Sequence, residues 1–255
     1  MNSKYKVLKY RSNNTNEIDD SISIEEPLEI TIKFKNKETW TENTISITMR
    51  TPGNDEDLVR GFLFNERIIE KIEYIDKIES DGENVGQYNL KNKIIATINN
   101  PENIDIDKIK RNFLTNSSCG VCGKTSLDSL EIIKKDKIVK SLPKIDHEII
   151  MKSPTTLREN QSEFSKTGGI HASGLFSDKG DVVAIKEDVG RHNALDKLIG
   201  YVLEKKLLNP SNQFLTCSGR LNFELVQKAL MSNIGVLIGV GAPTSLAIDL
   251  ANKFD

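Results

Sequence analysis

Cys119 and Cys122 lie in the run Ser117-Ser118-Cys119-Gly120-Val121-Cys122-Gly123-Lys124, two thiols inside a Gly/Ser stretch. The thiolate is the nucleophilic form of cysteine, and nearby positive charge and backbone N–H groups favour it. Positive charge flanks the pair on both sides, with Lys108, Lys110 and Arg111 before it and Lys124, Lys134 and Lys135 after it. Gly120 and Gly123 can take φ > 0, so a loop here can present both sulfurs to a partner. Three uses compete: inert surface thiols, dithiol–disulfide exchange, and carriage of sulfane sulfur as a persulfide. The basic, flexible flanks argue against the first. Thioredoxin-like exchange needs a buried strand directly before the pair, and Arg111-Asn112-Phe113-Leu114-Thr115-Asn116 is a poor core strand. A mobile carrier fits best with a loop whose sulfur must visit a donor and then an acceptor.

A second group of residues points to an anionic ligand. Lys186-Glu187-Asp188-Val189-Gly190-Arg191-His192-Asn193 and Cys217-Ser218-Gly219-Arg220 each set Gly and Arg where a strand gives way to a helix. Helix N-termini offer free N–H groups and partial positive charge, Gly admits close approach, and Arg grips phosphate bidentately. Thr167-Gly168-Gly169-Ile170-His171 adds another Gly pair and a histidine. One phosphate-bearing ligand is expected over Gly169, His171, Asp188, Gly190, Arg191, His192, Asn193, Ser218, Gly219 and Arg220. Neither G-x-G-x-x-G nor a Walker sequence is present, so no Rossmann or P-loop site follows.

Metal binding is the rival use of Cys and His. The deaminase zinc pattern pairs H-x-E with P-C-x-x-C. Here Ala172 and Ser173 follow His171, Asn193 and Ala194 follow His192, and no Pro precedes Cys119. A four-cysteine site needs a second C-x-x-C, which only a second chain could lend. No metal is expected. Cys217 reads as a small buried residue and His147 as surface.

The elements that must hold these residues fall into two grammars. Residues 29–34 and 44–49 alternate apolar with polar as half-buried strands do. Thr51-Pro52-Gly53-Asn54-Asp55 reads as a turn and helix start, with Leu58, Val59, Phe62 and Leu63 at helical spacing. Asp81-Gly82-Glu83-Asn84 is expected to separate two weak strands, the second at 93–98, and the N-terminus is a polar, Asn-rich start. A turn at 99–102, a short polar helix, and a helix at 126–133 follow. Ser153-Pro154 reads as a helix start with Pro at its first position. Three strand–turn–helix units then predict a mostly parallel sheet covered by helices: 181–185 into Ala194 and Leu198, 213–217 into Leu225 and Ala229, 235–240 into Leu246 and Leu250. The parts are 1–105, strand-rich; 106–140, the cysteine loop and connection; and 141–255, α/β.

Composition bounds the surroundings. The chain has 255 residues, net charge −2 and 28% charged residues, which gives no global electrostatic case for nucleic acid. The longest apolar run, 234–240, is too short to span a bilayer, and the N-terminus lacks a signal-peptide core. Three cysteines, an odd number, do not make a secreted disulfide framework. A cytoplasmic protein is expected.

Taken together, these motifs resemble the formate dehydrogenase accessory sulfurtransferases, the FdhD family. The resemblance rests on residues 51–69, the cysteine loop, 167–172, the run Glu187 to Lys197, Ser218-Gly219-Arg220 with Glu224-Leu225-Val226-Gln227-Lys228, and Pro243-Thr244-Ser245-Leu246-Ala247. It implies a sulfurtransferase that takes sulfur from a cysteine desulfurase and delivers it to the molybdenum (or tungsten) bis(molybdopterin guanine dinucleotide) cofactor of formate dehydrogenase. By the same resemblance Cys119 carries the persulfide, Cys122 is its partner, and the guanine nucleotide end, or GDP, sits at the helix-start turns with Asp188 accepting from base or ribose. The implied fold is α+β: a cytidine-deaminase-like C-terminal half with a mixed sheet and flanking helices but no zinc, plus the strand-rich N-terminal part. The implied assembly is a homodimer. The family usually has Gly at position 67, where this chain has Arg, and continues beyond the last helix into another strand and a basic stretch. The other reading is a non-catalytic cofactor-binding chaperone whose cysteines sense redox state.

Overall fold

The computed structural model describes residues 1–11, 14–99 and 142–254. The cysteine loop with Cys119 and Cys122, the expected turn at 100–102, the helix at 126–133 and the connection to 141 lie outside the described residues.

The N-terminal part is built on the sheet β4-β3-β6-β5, from β3 (Glu26–Asn36), β4 (Thr39–Arg50), β5 (Ile75–Val85) and β6 (Leu90–Ile98). Alternation in β3 turns Leu28, Ile30, Ile32 and Phe34 to one face, where Leu58, Val59 and Leu63 of helix α1 (Asp55–Asn65) cover them. The strand pairs are mixed: β3 runs antiparallel to β4 and parallel to β6, and β5 runs antiparallel to β6. Asp81 to Asn84 does not separate two strands as expected. It is a register shift inside β5, and the turn comes later, at Gly86 to Asn89, both with φ > 0. A bulge absorbs the Gly that the sequence offers as a turn.

The N-terminus, read only as a polar, Asn-rich start of the strand-rich part, forms an antiparallel hairpin of β1 (Asn2–Arg11) and β2 (Asn14–Ser23). Side-chain contacts hold this exposed hairpin rather than a core. Tyr5 meets Tyr88 at 3.0 Å, Ser23 meets Thr167 at 2.7 Å, and the terminal ammonium meets Glu163 at 3.0 Å.

The C-terminal sheet has the order β10-β9-β7-β8, from β7 (His171–Ser177), β8 (Val182–Asp188), β9 (Gln213–Arg220) and β10 (Leu237–Gly241). The mostly parallel sheet expected from the strand–helix alternation is corrected to a mixed one, as the family resemblance implied, because β7 lies antiparallel between β8 and β9. Only β9 and β10 pair in parallel. The three strand–turn–helix units nevertheless hold, leading into α4 (Arg191–Glu204), α5 (Phe223–Met231) and α6 (Ser245–Phe254). With β7 inserted, β8, β9 and β10 still point the same way. Their C-terminal ends, the three helix starts and the first residue of β7 therefore share one edge.

Helices cover both faces. Leu195, Leu198, Ile199 and Val202 of α4 and Leu225 and Ala229 of α5 pack on Leu175 and Leu215, while Leu157 packs on Phe176 and Phe214 from behind. Leu157 belongs to α2 (His147–Glu159), which is followed by the short α3 (Ser162–Thr167). Pro154 does not start α2. It lies inside the helix, and the Ser153 hydroxyl donates to Ile150 O at 3.0 Å, the carbonyl that residue 154 would serve if it had an N–H. His147 is exposed. Among the described residues, no helix is long and apolar enough to cross a membrane.

Candidate functional site

The shared edge gathers most of the residues marked in the sequence, and strand register explains how. His171 pairs with Asp188, and Ser173 pairs with Cys217, which sets His171 against the end of β9. A Cβ at Gly219 would fall 3.3 Å from His171 Nδ1 and 3.6 Å from Arg191 Cδ, so the absent side chain is what lets both approach the β9 backbone. Ser218 Oγ accepts from Ala172 N–H at 2.9 Å and lies 3.4 Å from His171 Nδ1. Across the edge, His192 Nε2 is 2.9 Å from Glu224 Oε2, near the start of α5.

The electrostatics favour an anion. Arg191 and Arg220 make no hydrogen bond or ion pair among the described residues, and the Arg191 Nε is buried with no partner there. A buried donor left unpaired costs roughly 1–3 kcal/mol, which a ligand acceptor would recover. Arg220 is exposed, and a Cβ at Gly241 would sit 2.9 Å from its Cγ, so its stem lies along the β9–β10 step. Burial, together with the charges of Arg191 and His192, lowers the His171 pKa, with Asp188 opposing. Gly169 is exposed just before β7, and the neighbouring Gly168 (φ 68°) closes α3.

Two expected ligand contacts are corrected. Asp188 is fully buried, and its carboxylate is engaged on every side: Lys197 Nζ at 2.7 Å, Thr51 N–H at 3.1 Å, Gly190 N–H at 2.9 Å and Asn193 Nδ2 at 3.3 Å. Burial pushes this carboxyl upward against the pull of Lys197. Asn193 is also buried; it donates to Met49 O at 2.8 Å and accepts from Thr48 at 3.2 Å. Neither has a free group for a ligand; they bind the edge to the β4–α1 turn. Gly190 has ordinary φ (−91°), and a Cβ there would press on Asn193 Nδ2 at 3.2 Å. Its role is to make room for this packing.

The sequence reading missed Thr51, Lys197 and Asn222. Lys197 is buried on α4, a position where charge is costly unless paired. Asn222 caps α5, accepting from Leu225 N–H at 3.2 Å. The pattern Asn-x-x-Leu before an apolar run was a legible helix-start signal. Cys217, as read, is buried, and burial raises its thiol pKa to about 11, so it is inert. The thiols with the chemical setting for reaction remain Cys119 and Cys122, outside the described residues.

Comparison with known proteins bears on the whole chain. Residues 24–255 match the FdhD/NarQ family. A sulfur carrier protein FdhD of Picrophilus torridus is 43% identical over 239 residues, covering 93% of this chain and 85% of that one. A protein of the same description from Sulfurisphaera tokodaii is 38% identical over 250 residues, covering 98% and 89%. A solved structure described as a formate dehydrogenase accessory protein, from Desulfotalea psychrophila, superimposes with a TM-score of 0.69 at 22% identity, covering 99% and 90%. At that identity it speaks for the fold alone.

Proposed function

The chain belongs to the FdhD/NarQ family, and from that premise we propose that it carries sulfur as a persulfide on Cys119 and delivers it to a guanine-dinucleotide metal cofactor. The Cys119 thiolate attacks the terminal sulfur of a donor persulfide, as a cysteine desulfurase would present it. A bond forms from Cys119 Sγ to that sulfur, the donor S–S bond breaks, and the donor leaves as a thiolate. Release follows when Cys122 attacks Cys119 Sγ. The two thiols become a disulfide, and their electron pair leaves with the sulfur as hydrosulfide at the acceptor. The acceptor is the molybdenum or tungsten bis(molybdopterin guanine dinucleotide) cofactor, as substrate, destined for formate dehydrogenase. Its nucleotide end is assigned to the β8–β9 edge, with Arg191 and Arg220 on phosphate and His171, His192, Ser218 and Gly219 beside them.

What carries this reading is the coexistence of the Cys119-Gly-Val-Cys122 run with an edge where two guanidinium groups lack partners among the described residues. The test is intact-mass spectrometry after incubation with a cysteine desulfurase and cysteine. One added sulfur, removed by reductant and absent in Cys119→Ser, is the expected result. No adduct on the wild type, with a competent desulfurase, would leave a cofactor-holding chaperone instead.

A further inference from the structure

Glu224 has no part in the function as proposed, although it opens the run Glu224-Leu225-Val226-Gln227-Lys228. It stands in the first turn of α5, and its Oε2 reaches across to His192 Nε2 at 2.9 Å. Asn222 lies on the same nitrogen, with Oδ1 at 3.3 Å and Nδ2 at 3.0 Å. The Asn222 amide is oriented by its capping bond, since Oδ1 also accepts from Leu225 N–H. An ionised carboxylate accepts hydrogen bonds and gives none. The imidazole proton therefore belongs on Nε2, in a charge-assisted bond to Glu224, and Asn222 Nδ2 is an unbonded neighbour. Nδ1, on the other side of the ring, makes no hydrogen bond among the described residues.

We propose that Glu224 is a positioning residue of the nucleotide site. By holding His192 Nε2–H, it fixes the ring and its tautomer and offers Nδ1 to the ligand as an acceptor for a hydroxyl or N–H of the nucleoside. The inference rests on the nucleotide reading of the edge. It assigns the phosphates to the arginines and one nucleoside donor to His192. Removal of Glu224 should free Asn222 Nδ2 to donate to Nε2, which would move the proton to Nδ1 and erase the acceptor.

Two measurements test this. The first is the tautomer of His192 by imidazole nitrogen and carbon NMR, tractable because the chain has three histidines. The wild type should hold the proton on Nε2 and Glu224→Ala on Nδ1; a wild-type Nδ1–H form overturns the proposal without any variant. The second is calorimetric titration with guanosine diphosphate and, separately, inorganic pyrophosphate. Glu224→Ala should weaken the nucleotide about tenfold, the worth of one good hydrogen bond, and leave pyrophosphate unchanged. Glu224→Gln, which keeps an acceptor, should recover most of the loss. Equal weakening of both ligands would mean a purely structural role and overturn the proposal, as would unaltered nucleotide affinity. A wild type that binds neither ligand overturns the nucleotide reading itself, while the tautomer still decides whether Glu224 sets the ring.

Discussion

Burial, then the charges of Arg191 and His192, hold the His171 imidazole below its ordinary range. A base with a lowered folded pKa binds fewer protons folded than unfolded. Stability then falls as pH drops from the unfolded value, about 6.5, toward the folded one. His171→Gln should remove this component. Urea denaturation at about pH 7 and pH 5 should show the variant losing less stability on acidification than the parent. Identical losses would put the imidazole in a water-like setting. At this scale the sequence was informative through the conjunction of turns: Gly, Arg and His at one helix start are common without function, but the fold brings several such turns to one edge. It could not tell Asp188 from a ligand contact. A carboxylate looks the same in sequence whether it faces solvent or, as here, Lys197 and three N–H groups.

Helices α1 and α4 join the two parts through close backbone contact. A Cβ on Gly61 would overlap the carbonyl of Asp196, and one on Gly200 would overlap the carbonyl of Asp57. Gly200→Ala must push the helices apart, and overpacking of this kind costs about 1–3 kcal/mol or more. Chemical denaturation should show that loss; an unchanged midpoint would mean that the pair is not in contact in solution. The end of α1 is a second helix-level device. Ile68 N–H donates to Leu63 O at 2.9 Å and Arg67 N–H to Phe64 O at 3.0 Å, a Schellman closure with Arg67 at φ 54°. That is a left-handed position, which Gly occupies most easily. The apolar spacing of both helices was legible, whereas their crossing was not. Two isolated Gly residues 139 positions apart (200 less 61) carry no mark that they face each other.

Across the molecule, two buried charge clusters tie the parts together. Lys197 bridges Asp188 and the Thr51 carbonyl, and Lys228 joins Asp196 and Glu66, with Asn65 donating to Asp196 at 2.7 Å. Both clusters link α4 to the β4–α1 segment or its helix. Phe64 packs against the apolar cores of both parts between them. Removing one partner of a buried pair leaves the other charge without compensation, at about 3–5 kcal/mol. Asp188→Ala should lose that much in urea denaturation, and Asp188→Ala with Lys197→Met should regain a large share. A double variant as unstable as the sum of both losses would mean the pair is not coupled. Under the proposed reading, guanosine diphosphate binding at this edge should weaken with Asp188→Ala, because the carboxylate anchors the start of α4 through Gly190.

The sequence by itself determined what local rules govern. Strands β3 and β4, helix α1 and the three strand–turn–helix units follow from apolar periodicity, and the residues gathered at the edge follow from Gly, Arg and His at helix starts. The Cys119-x-x-Cys122 run stands on its own chemistry. The tertiary structure decided what depends on partners distant in the chain. The insertion of antiparallel β7 turns a parallel plan into a mixed sheet. The exposed hairpin β1–β2 is held by Tyr88, Thr167 and Glu163, none of them near it in sequence. Pro154 stays inside α2 because the Ser153 hydroxyl serves the vacant carbonyl. Asp188, Asn193, His192 and Glu224 take their roles from their neighbours, because a polar side chain's work depends on whether water or protein satisfies it.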